Sequence, residues 1–311
     1  MKVHHSISAY ENEHASVVTI GTFDGVHIGH KKLLDKLTSE AEKSGLDSII
    51  LTFFPHPRMV LQKESDIKLI NTIEERTSIF SKTKLDHLII HPFTHQFSRL
   101  TALEFVRDIL VNKLHAKKII IGYDHRFGRN RNADINDLRE FGKNYNFEVE
   151  EISAQELNEV AVSSTKIRKA LEKGDLEKAN RYLGYPYMLN GTIVKGKGLG
   201  RKMNYPTANL HIEQPYKLIP KNGVYIAKSV IDNNKVFGLM NIGTNPTVGG
   251  VNRTIETYFL DIEKDLYGEK LEIELLAKIR EEEKFDSIEA LQSAIKNDET
   301  FARKYIESYA Q

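Results

Sequence analysis

The chain has no cysteine. That absence excludes disulfides, thiolate metal sites and a cysteine nucleophile, and it fits a reducing compartment. No stretch approaches the roughly 18 apolar residues of a transmembrane helix. Met1 to Tyr10 carries Lys2, His4 and His5 but no apolar core of a signal peptide. A cytoplasmic location with no membrane association is the expectation. An excess of charge of one sign is also missing: 44 Lys and Arg against 43 Asp and Glu give a net charge of +1. There is thus no global pull toward nucleic acid, and any polyanion binding must be local. The Gly-x-x-x-x-Gly-Lys-Ser/Thr run of a P-loop is absent, as are internal repeats and low-complexity segments.

What is present points to two domains. At 311 residues the chain exceeds the size at which single cores stop growing, about 250–300 residues. Strand-like runs at Val17–Phe23, Ser48–Phe54, His87–Phe93, Lys117–Asp124 and Phe147–Ile152 alternate with helical patterns. Residues 29–44 place Leu33, Leu34, Leu37 and Ala41 on one face, and residues 101–114 repeat Ala102, Phe105, Val106, Ile109 and Leu110 at helical spacing. This order predicts an α/β domain with a parallel sheet, in which ligands sit beyond the carboxyl ends of the strands. Two helices follow, near Thr165–Lys173 and Leu176–Leu183, with Gly174-Asp175 as cap and fresh start. Gly184-Tyr185-Pro186 stops the second, so the division is expected as 1–186 and 187–311. Beyond it, short β-rich runs at Tyr187–Val194, Val224–Ile231, Lys235–Ile242, Thr254–Leu260 and Leu271–Ala277 predict a small antiparallel barrel. Asp232-Asn233-Asn234 reads as a hairpin turn. The tail is expected to be helical, with Ser287 capping one segment and Thr300–Tyr309 as the last.

The densest signal is Gly21-Thr-Phe-Asp-Gly-Val-His-Ile-Gly-His30, directly after an apolar strand. Gly21 and Gly25 allow a sharp turn and close backbone approach. The helix starting near Gly29 offers free N–H groups and a positive dipole end to phosphate. His27 and His30 share a helix face and can point at the same phosphate. Ser163-Ser164-Thr165-Lys166-Ile167-Arg168 opens another helix with three hydroxyls and two cations, a second phosphate site. The pair suits nucleotidyl transfer, in which one phosphate attacks the α-phosphate of a nucleoside triphosphate. The attacking group is already an anion, so catalysis is positioning plus charge neutralisation, supplied by the histidines and Arg168. Asp124-His125-Arg126, at the end of the fourth strand, reads equally as a ligand contact or a satisfied loop. His56, between Pro55 and Pro57, reads as wall rather than catalyst.

The second domain carries other chemistry. Lys195-Gly-Lys-Gly-Leu-Gly-Arg201 is a Gly-rich basic loop. Pro206-Thr207-Ala208-Asn209 follows, and Thr and Asn supply hard oxygen ligands that suit Mg²⁺ shared with phosphate. Glu256 lies in the run Thr254–Phe259 and shares a face with Thr254 and Tyr258 under strand alternation. Beside a metal–phosphate site it is a candidate base for an alcohol nucleophile. Arg280 precedes Glu281–Glu283, otherwise a solvated charge run.

Taken as an ordered set, these motifs resemble the bacterial bifunctional riboflavin kinase and FAD synthetase family over essentially the whole chain. The first-domain signatures are Gly21–His30, Phe54–Arg58, Gly122–Gly128 and Ser163–Arg168. The second-domain signatures are Gly196–Asn209, Arg253–Leu260 with Asp265-Leu-Tyr-Gly268, and Ile279–Phe285. The resemblance implies a Rossmann-like nucleotidyltransferase domain that transfers AMP from ATP to FMN, giving FAD and pyrophosphate. It implies a β-barrel kinase domain that phosphorylates riboflavin to FMN, with ADP as by-product and Mg²⁺ as cofactor. His27, His30, Ser164 and Arg168 are the implied adenylylation residues, with ATP also contacting Gly21, Phe23, Asp24, Gly29, Ser163 and Thr165. In the kinase, Lys195, Gly196, Gly198 and Pro206 would line ATP, Thr207 and Asn209 hold the metal, and Glu256 act as base. Asp124, Arg126 and Arg280 are the implied flavin contacts. Three departures stand out: His125 replaces the family's Phe, Asn132-Ala133 replaces a glycine, and the kinase loop reads Lys202-Met203-Asn204-Tyr205.

Two rivals remain open on the residues alone. His27-Ile28-Gly29-His30 is similar to the signature of class I aminoacyl-tRNA synthetases, but Ser163–Arg168 is a poor Lys-Met-Ser-Lys-Ser match and no anticodon-type extension is present. A flavin carrier or regulator would need neither Glu256 nor Thr207 and Asn209.

Overall fold

A computed structural model describes residues 1–62, 66–123, 125–153, 162–196, 198, 200, 203–244 and 253–309. The chain divides into two compact units, Met1–Ser164 and Thr165–Gln311.

The first unit is built on six strands: β1 (Lys2–His4), β2 (Ser16–Ile20), β3 (Asp47–Phe53), β4 (His87–His91), β5 (Ala116–Gly122) and β6 (Glu148–Ile152). Every pairing is parallel and the order is β1-β4-β3-β2-β5-β6. All five residues of β2 are buried, as expected of a parallel strand covered on both faces. From β2 the chain steps through β3 to β4 on one side, then crosses to β5 and β6 on the other. The gap beyond the carboxyl ends of β2 and β5 is therefore a topological switch point, where open α/β sheets bind ligands. The helix α1 (Ile28–Ser44) starts there and buries Leu33, Leu34, Leu37 and Ala41, the predicted face.

The five expected strands are present, but β2 stops at Ile20. Phe23 lies in the turn with a φ of 48°, a conformation that ends a strand. β1 adds a sixth strand that hydrophobic patterning does not reveal, because Lys2-Val3-His4 is short and mostly polar. Residues 102–111 of the expected 101–114 are helical, opened by a capping box between Thr101 and Glu104, and Phe105–Val111 widens into a π-helix. Further helices run over Pro57–Leu61, Ile73–Ser81 and Ile135–Tyr145.

The second unit holds a closed antiparallel barrel in the order β10-β11-β8-β7-β12-β9. Its strands are β7 (Tyr187–Val194), β8 (Ala208–His211), β9 (Gly223–Ile231), β10 (Asn234–Gly243), β11 (Thr254–Phe259) and β12 (Lys270–Arg280). Asp232 and Asn233 both take positive φ between β9 and β10, the predicted hairpin. β8 was not expected as a strand; Pro206 and Thr207 mask its start, and only four residues follow. The helices Ser164–Lys173 and Leu176–Leu183 precede the barrel. Asn180 ties the second of them down. Its Nδ2 donates to the Leu275 carbonyl at 2.9 Å, and its Oδ1 accepts from Tyr187 N at 2.7 Å. These bonds attach that helix to β12 and to the start of β7.

Ser287 Oγ accepts from Ala290 N at 3.1 Å, the expected cap. The two helical segments predicted for the tail are one helix, Ile288–Tyr309. The polar stretch between them does not break it, because Asp298 is buried against Arg280.

Two candidate active sites

In the first unit, the chain leaves β2 and turns through residues 21–27 into α1. Gly21 packs closely here: a Cβ there would lie 3.0 Å from the Phe23 ring, which would have to give by a few tenths of an ångström. That ring is buried and meets His30 edge-on at 5.1 Å. His27 caps α1: its Nδ1 accepts from His30 N at 3.4 Å. An accepting Nδ1 leaves the proton of the neutral ring on Nε2. The His27 and His30 rings stack at 3.7 Å and 15°. Burial pushes His27 down to about 4, against the pull of Asp24. Burial also holds His30 well below the usual range, helped by His27 and Arg76. Both rings are thus neutral at physiological pH. His30 Nδ1 is buried and has no hydrogen-bond partner among the described residues. Gly29 is buried in the first turn of α1.

Asp24 turns inward. Its Oδ1 accepts from Ile70 N at 3.0 Å and Asn71 N at 3.3 Å, and Oδ2 accepts from Ile70 N at 3.2 Å. The Asp24 carbonyl accepts from Ser164 Oγ at 2.7 Å. That bond brings Ser163-Ser164 to the Gly21–His30 turn across 140 residues of sequence. Thr165 and Arg168 follow on the helix, Thr165 exposed and Arg168 half-buried. Asp124 lies outside the described residues. His125 stacks on Phe127 at 6.2 Å and 21°, and Arg126 is exposed. Ala133, at one of the positions that depart from the family, pairs its backbone with Phe127 in both directions. The His56 ring accepts from Arg58 N at 3.1 Å and so caps the helix Pro57–Leu61, in keeping with wall rather than catalyst. Sequence reasoning missed Arg76, a buried cation on the helix Ile73–Ser81; the capping box Thr72–Glu75 marks that helix but nothing marks the arginine.

In the second unit the site forms on one face of β11. Thr254, Glu256 and Tyr258 share that face, as alternation predicts, while Ile255, Thr257 and Phe259 are buried on the other. Glu256 stands opposite Asn209 on β8 and Asn241 on β10. Directly opposed residues project to the same side of a sheet. Glu256 Oε2 accepts from Thr207 Oγ1 at 3.0 Å, and Oε1 accepts from Thr254 Oγ1 at 3.2 Å. Lys195 and Gly196 leave β7 beside Asn209, since Val194 pairs with it. A Cβ on Gly196 would lie 2.3 Å from Asn209 Nδ2, so a larger residue there would push the Asn209 amide aside. Gly198 and Pro206 are exposed; Lys197, Leu199, Arg201 and Lys202 fall outside the described residues. A cavity of about 580 Å³ adjoins this face, walled by Met203, Tyr205, Tyr258, Gln292 and Lys296. The rings of Tyr205 and Tyr258 meet edge-on at 5.2 Å.

Arg280 ends β12. It donates through Nε and Nη2 to the buried Asp298 at 3.0 and 2.9 Å and lies over the Phe285 ring at 5.4 Å. The charge run after it is not simply solvated. Glu281 pairs with Lys278 and Lys221. Glu282 accepts from Thr244 N at 2.7 Å and Asn222 Nδ2 at 2.8 Å. Asn241, Asp298 and Glu282 were not singled out from sequence; only strand register and the return of the C-terminal helix make them neighbours. Among the described residues, no group of three or more His, Cys, Asp or Glu side chains could hold a metal ion.

Comparison with known proteins gives two matches along the chain. A family model described as FAD synthetase matches residues 9–166, and one described as riboflavin kinase matches residues 183–306. A bifunctional riboflavin kinase/FMN adenylyltransferase of Buchnera aphidicola subsp. Acyrthosiphon pisum is 39% identical, over 93% of each chain. Proteins of the same description from Listeria monocytogenes and Escherichia coli K12 are 35% and 34% identical, each over 97% of this chain and 96% of theirs. A solved structure from Streptococcus pneumoniae, described as a macrolide-efflux protein, superposes with a TM-score of 0.87 at 31% identity, covering 97% of this chain and 98% of that one. Among the described residues of this chain, no helix is long and apolar enough to cross a membrane.

Proposed function

The chain belongs to the bifunctional riboflavin kinase/FMN adenylyltransferase family, and from that membership we propose which of its residues carry each reaction. It is an ATP-dependent enzyme with two activities: the barrel unit phosphorylates riboflavin to FMN, and the sheet unit adenylylates FMN to FAD with release of pyrophosphate. The tRNA synthetase and flavin-carrier readings fall with that assignment. We place the catalytic division at Gly184–Pro186, since the proposed adenylylation residues precede it and the proposed kinase residues follow it. A cytoplasmic location is part of the same reading.

For the kinase, the carrying observation is Glu256, held by two threonine hydroxyls and set opposite Asn209. Riboflavin's 5′-hydroxyl is a poor nucleophile near neutral pH, so Glu256 accepts its proton as the bond to the γ-phosphorus forms. Thr207 Oγ1 and the Asn209 amide oxygen are hard donors that fit Mg²⁺, and Asn209 sits where the Gly196 backbone can bring phosphate. When bound, Mg²⁺ would neutralise charge on the ATP phosphates. Lys195, Gly196, Gly198 and Pro206 line the nucleotide. Arg280 contacts the flavin, with the adjoining cavity as the ring's seat; its volume lies within the usual range for ligand pockets, about 300–1,000 Å³.

For adenylyl transfer, FMN brings its own anionic nucleophile and no base is needed. His27 donates from Nε2 and His30 turns its unpartnered nitrogen toward phosphate, while the start of α1 supplies N–H groups. A bound polyphosphate would favour protonation of both rings. Ser163, Ser164, Thr165 and Arg168 bind the other side of the nucleotide, and the Ser164–Asp24 bond supports this. Gly21, Phe23 and Gly29 shape the adenosine side, Asp24 holds the turn, and Asp124 and Arg126 contact the flavin. Incubating the enzyme with Mg-ATP and either riboflavin or FMN, and resolving the flavins by chromatography, tests the reading. Glu256→Gln should stop only the first reaction and His30→Ala only the second; variants that slow both alike would refute the two-site assignment.

A further inference from the structure

Under the turn that carries His27 and His30 lies a buried guanidinium. Arg76, on the helix Ile73–Ser81, is only 1% exposed. Its Nη1 donates to the Thr22 carbonyl at 2.6 Å. Thr52 Oγ1 donates to the same carbonyl at 3.3 Å and lies 3.4 Å from Nη1. The same segment grips the turn at two other places. Phe80 meets Phe23 edge-on at 5.9 Å, and Ile70 and Asn71 give their N–H groups to Asp24. Burying a guanidinium is costly unless its charge and hydrogen bonds are used. Its Nη1 bond goes to a backbone carbonyl inside the turn that carries the two histidines.

We infer that Arg76 is a positioning residue for adenylyl transfer: its buried guanidinium holds the Thr22 carbonyl and so sets the course of the turn that presents Phe23, His27 and His30. The inference rests on the reading of that turn as the nucleotide site. The same cation is among the causes that hold His30 well below the usual histidine range. Arg76 is 1% exposed and acts through the Thr22 carbonyl. Its loss therefore falls on turnover more than on the KM for ATP.

The test uses the full-length enzyme carrying Arg76→Met, Arg76→Lys and Thr52→Val, with His30→Ala beside them. FAD synthesis from FMN is measured as kcat and KM, and riboflavin phosphorylation by the barrel serves as the internal control. Arg76→Met should lower kcat for FAD synthesis by about 10²-fold, the scale of a 1 Å misplacement, with KM for ATP moving far less. Lysine keeps the charge but not the fork and should restore part of that loss. Thr52→Val should cost less than either, and kinase turnover should stay normal in all three. If His30→Ala is crippled while both Arg76 variants turn over at the wild-type rate, the positioning role is overturned and the site reading survives. If His30→Ala is itself normal, the site reading fails and takes this inference with it. Should Arg76→Met lose both activities, the fold has been damaged and Arg76→Lys with Thr52→Val decide: unchanged kcat in both overturns the inference.

Discussion

The two proposed sites are built in opposite ways. The proposed adenylyl site lies at the switch point of a parallel sheet, around a helix N-terminus, with His27 buried, His30 partly buried and both rings neutral. The kinase site lies on a half-buried barrel face, where a carboxylate is held between hydroxyls and flanked by amides from neighbouring strands. The nucleophile explains the contrast. A phosphate attacks already ionised, so its site needs donors aimed at developing charge and gains from excluding water. An alcohol must lose a proton, so its site sets a carboxylate where it can accept one. One chain thus meets the same cosubstrate, ATP, with two solutions, because the attacking atoms differ.

The largest expected effect is at Glu256. Glu256→Gln keeps size and hydrogen bonding but not basicity, and should lower FMN formation by about 10²–10⁴-fold. FAD synthesis from supplied FMN should survive. Steady-state rates with each flavin check this, and kinase turnover close to wild type would remove the base and with it the contrast. His30→Ala comes next: loss of one preorganised donor should cost FAD synthesis about 10²-fold while sparing the kinase. A third variant probes the C-terminal helix. Asp298→Asn weakens the bonds that orient Arg280. Hydrogen bonds to charged groups contribute about 1.5–3 kcal/mol, so KM for riboflavin should rise about tenfold or more, with FAD synthesis untouched. Titration of riboflavin binding against FMN adenylylation separates that outcome from general damage.

The smallest effect is on stability, and it sharpens the comparison through pH. Folded His27 is held at about 4 against an ordinary 6.5. Between those values the unfolded chain takes up a proton that the folded chain refuses. Stability is therefore full above pH 6.5 and is lost as pH falls toward 4, with His30 adding to the loss. No histidine belongs to the kinase site as described, so acid sensitivity should concentrate in the sheet unit. Thermal melts from pH 7 to 4.5 should show His27→Gln flattening the decline. An equal decline in wild type and variant would mean that the ring is protonated in the folded state.

Much of this was legible along the chain because it is local. Strand alternation put Glu256 on a face with Thr254 and Tyr258, and the Gly21–His30 run marked a turn into a helix. Gly184 and Ser287 marked helix ends that the structure reproduces. Short polar strands were not legible: β1 and β8 carry too few residues for a period to show, and they exist because a neighbouring edge accepts them. The two predicted tail helices proved to be one because Asp298, polar in sequence, is buried by its ion pair.

By itself, the sequence determined the fold class of both units, the order of the two modules and the residue types available for each reaction. All of these rest on periodicity, turn residues and composition within short windows. Only the tertiary structure decided that Ser164 closes on Asp24, that Asn241 and Asn209 flank Glu256, that Arg76 lies beneath Thr22, and that the paired histidines are neutral. Each of these depends on burial or on strand register between residues far apart in the chain. A one-residue slip of register would turn Glu256 away from Asn209, and a few ångströms of solvent would return His27 to its ordinary charge.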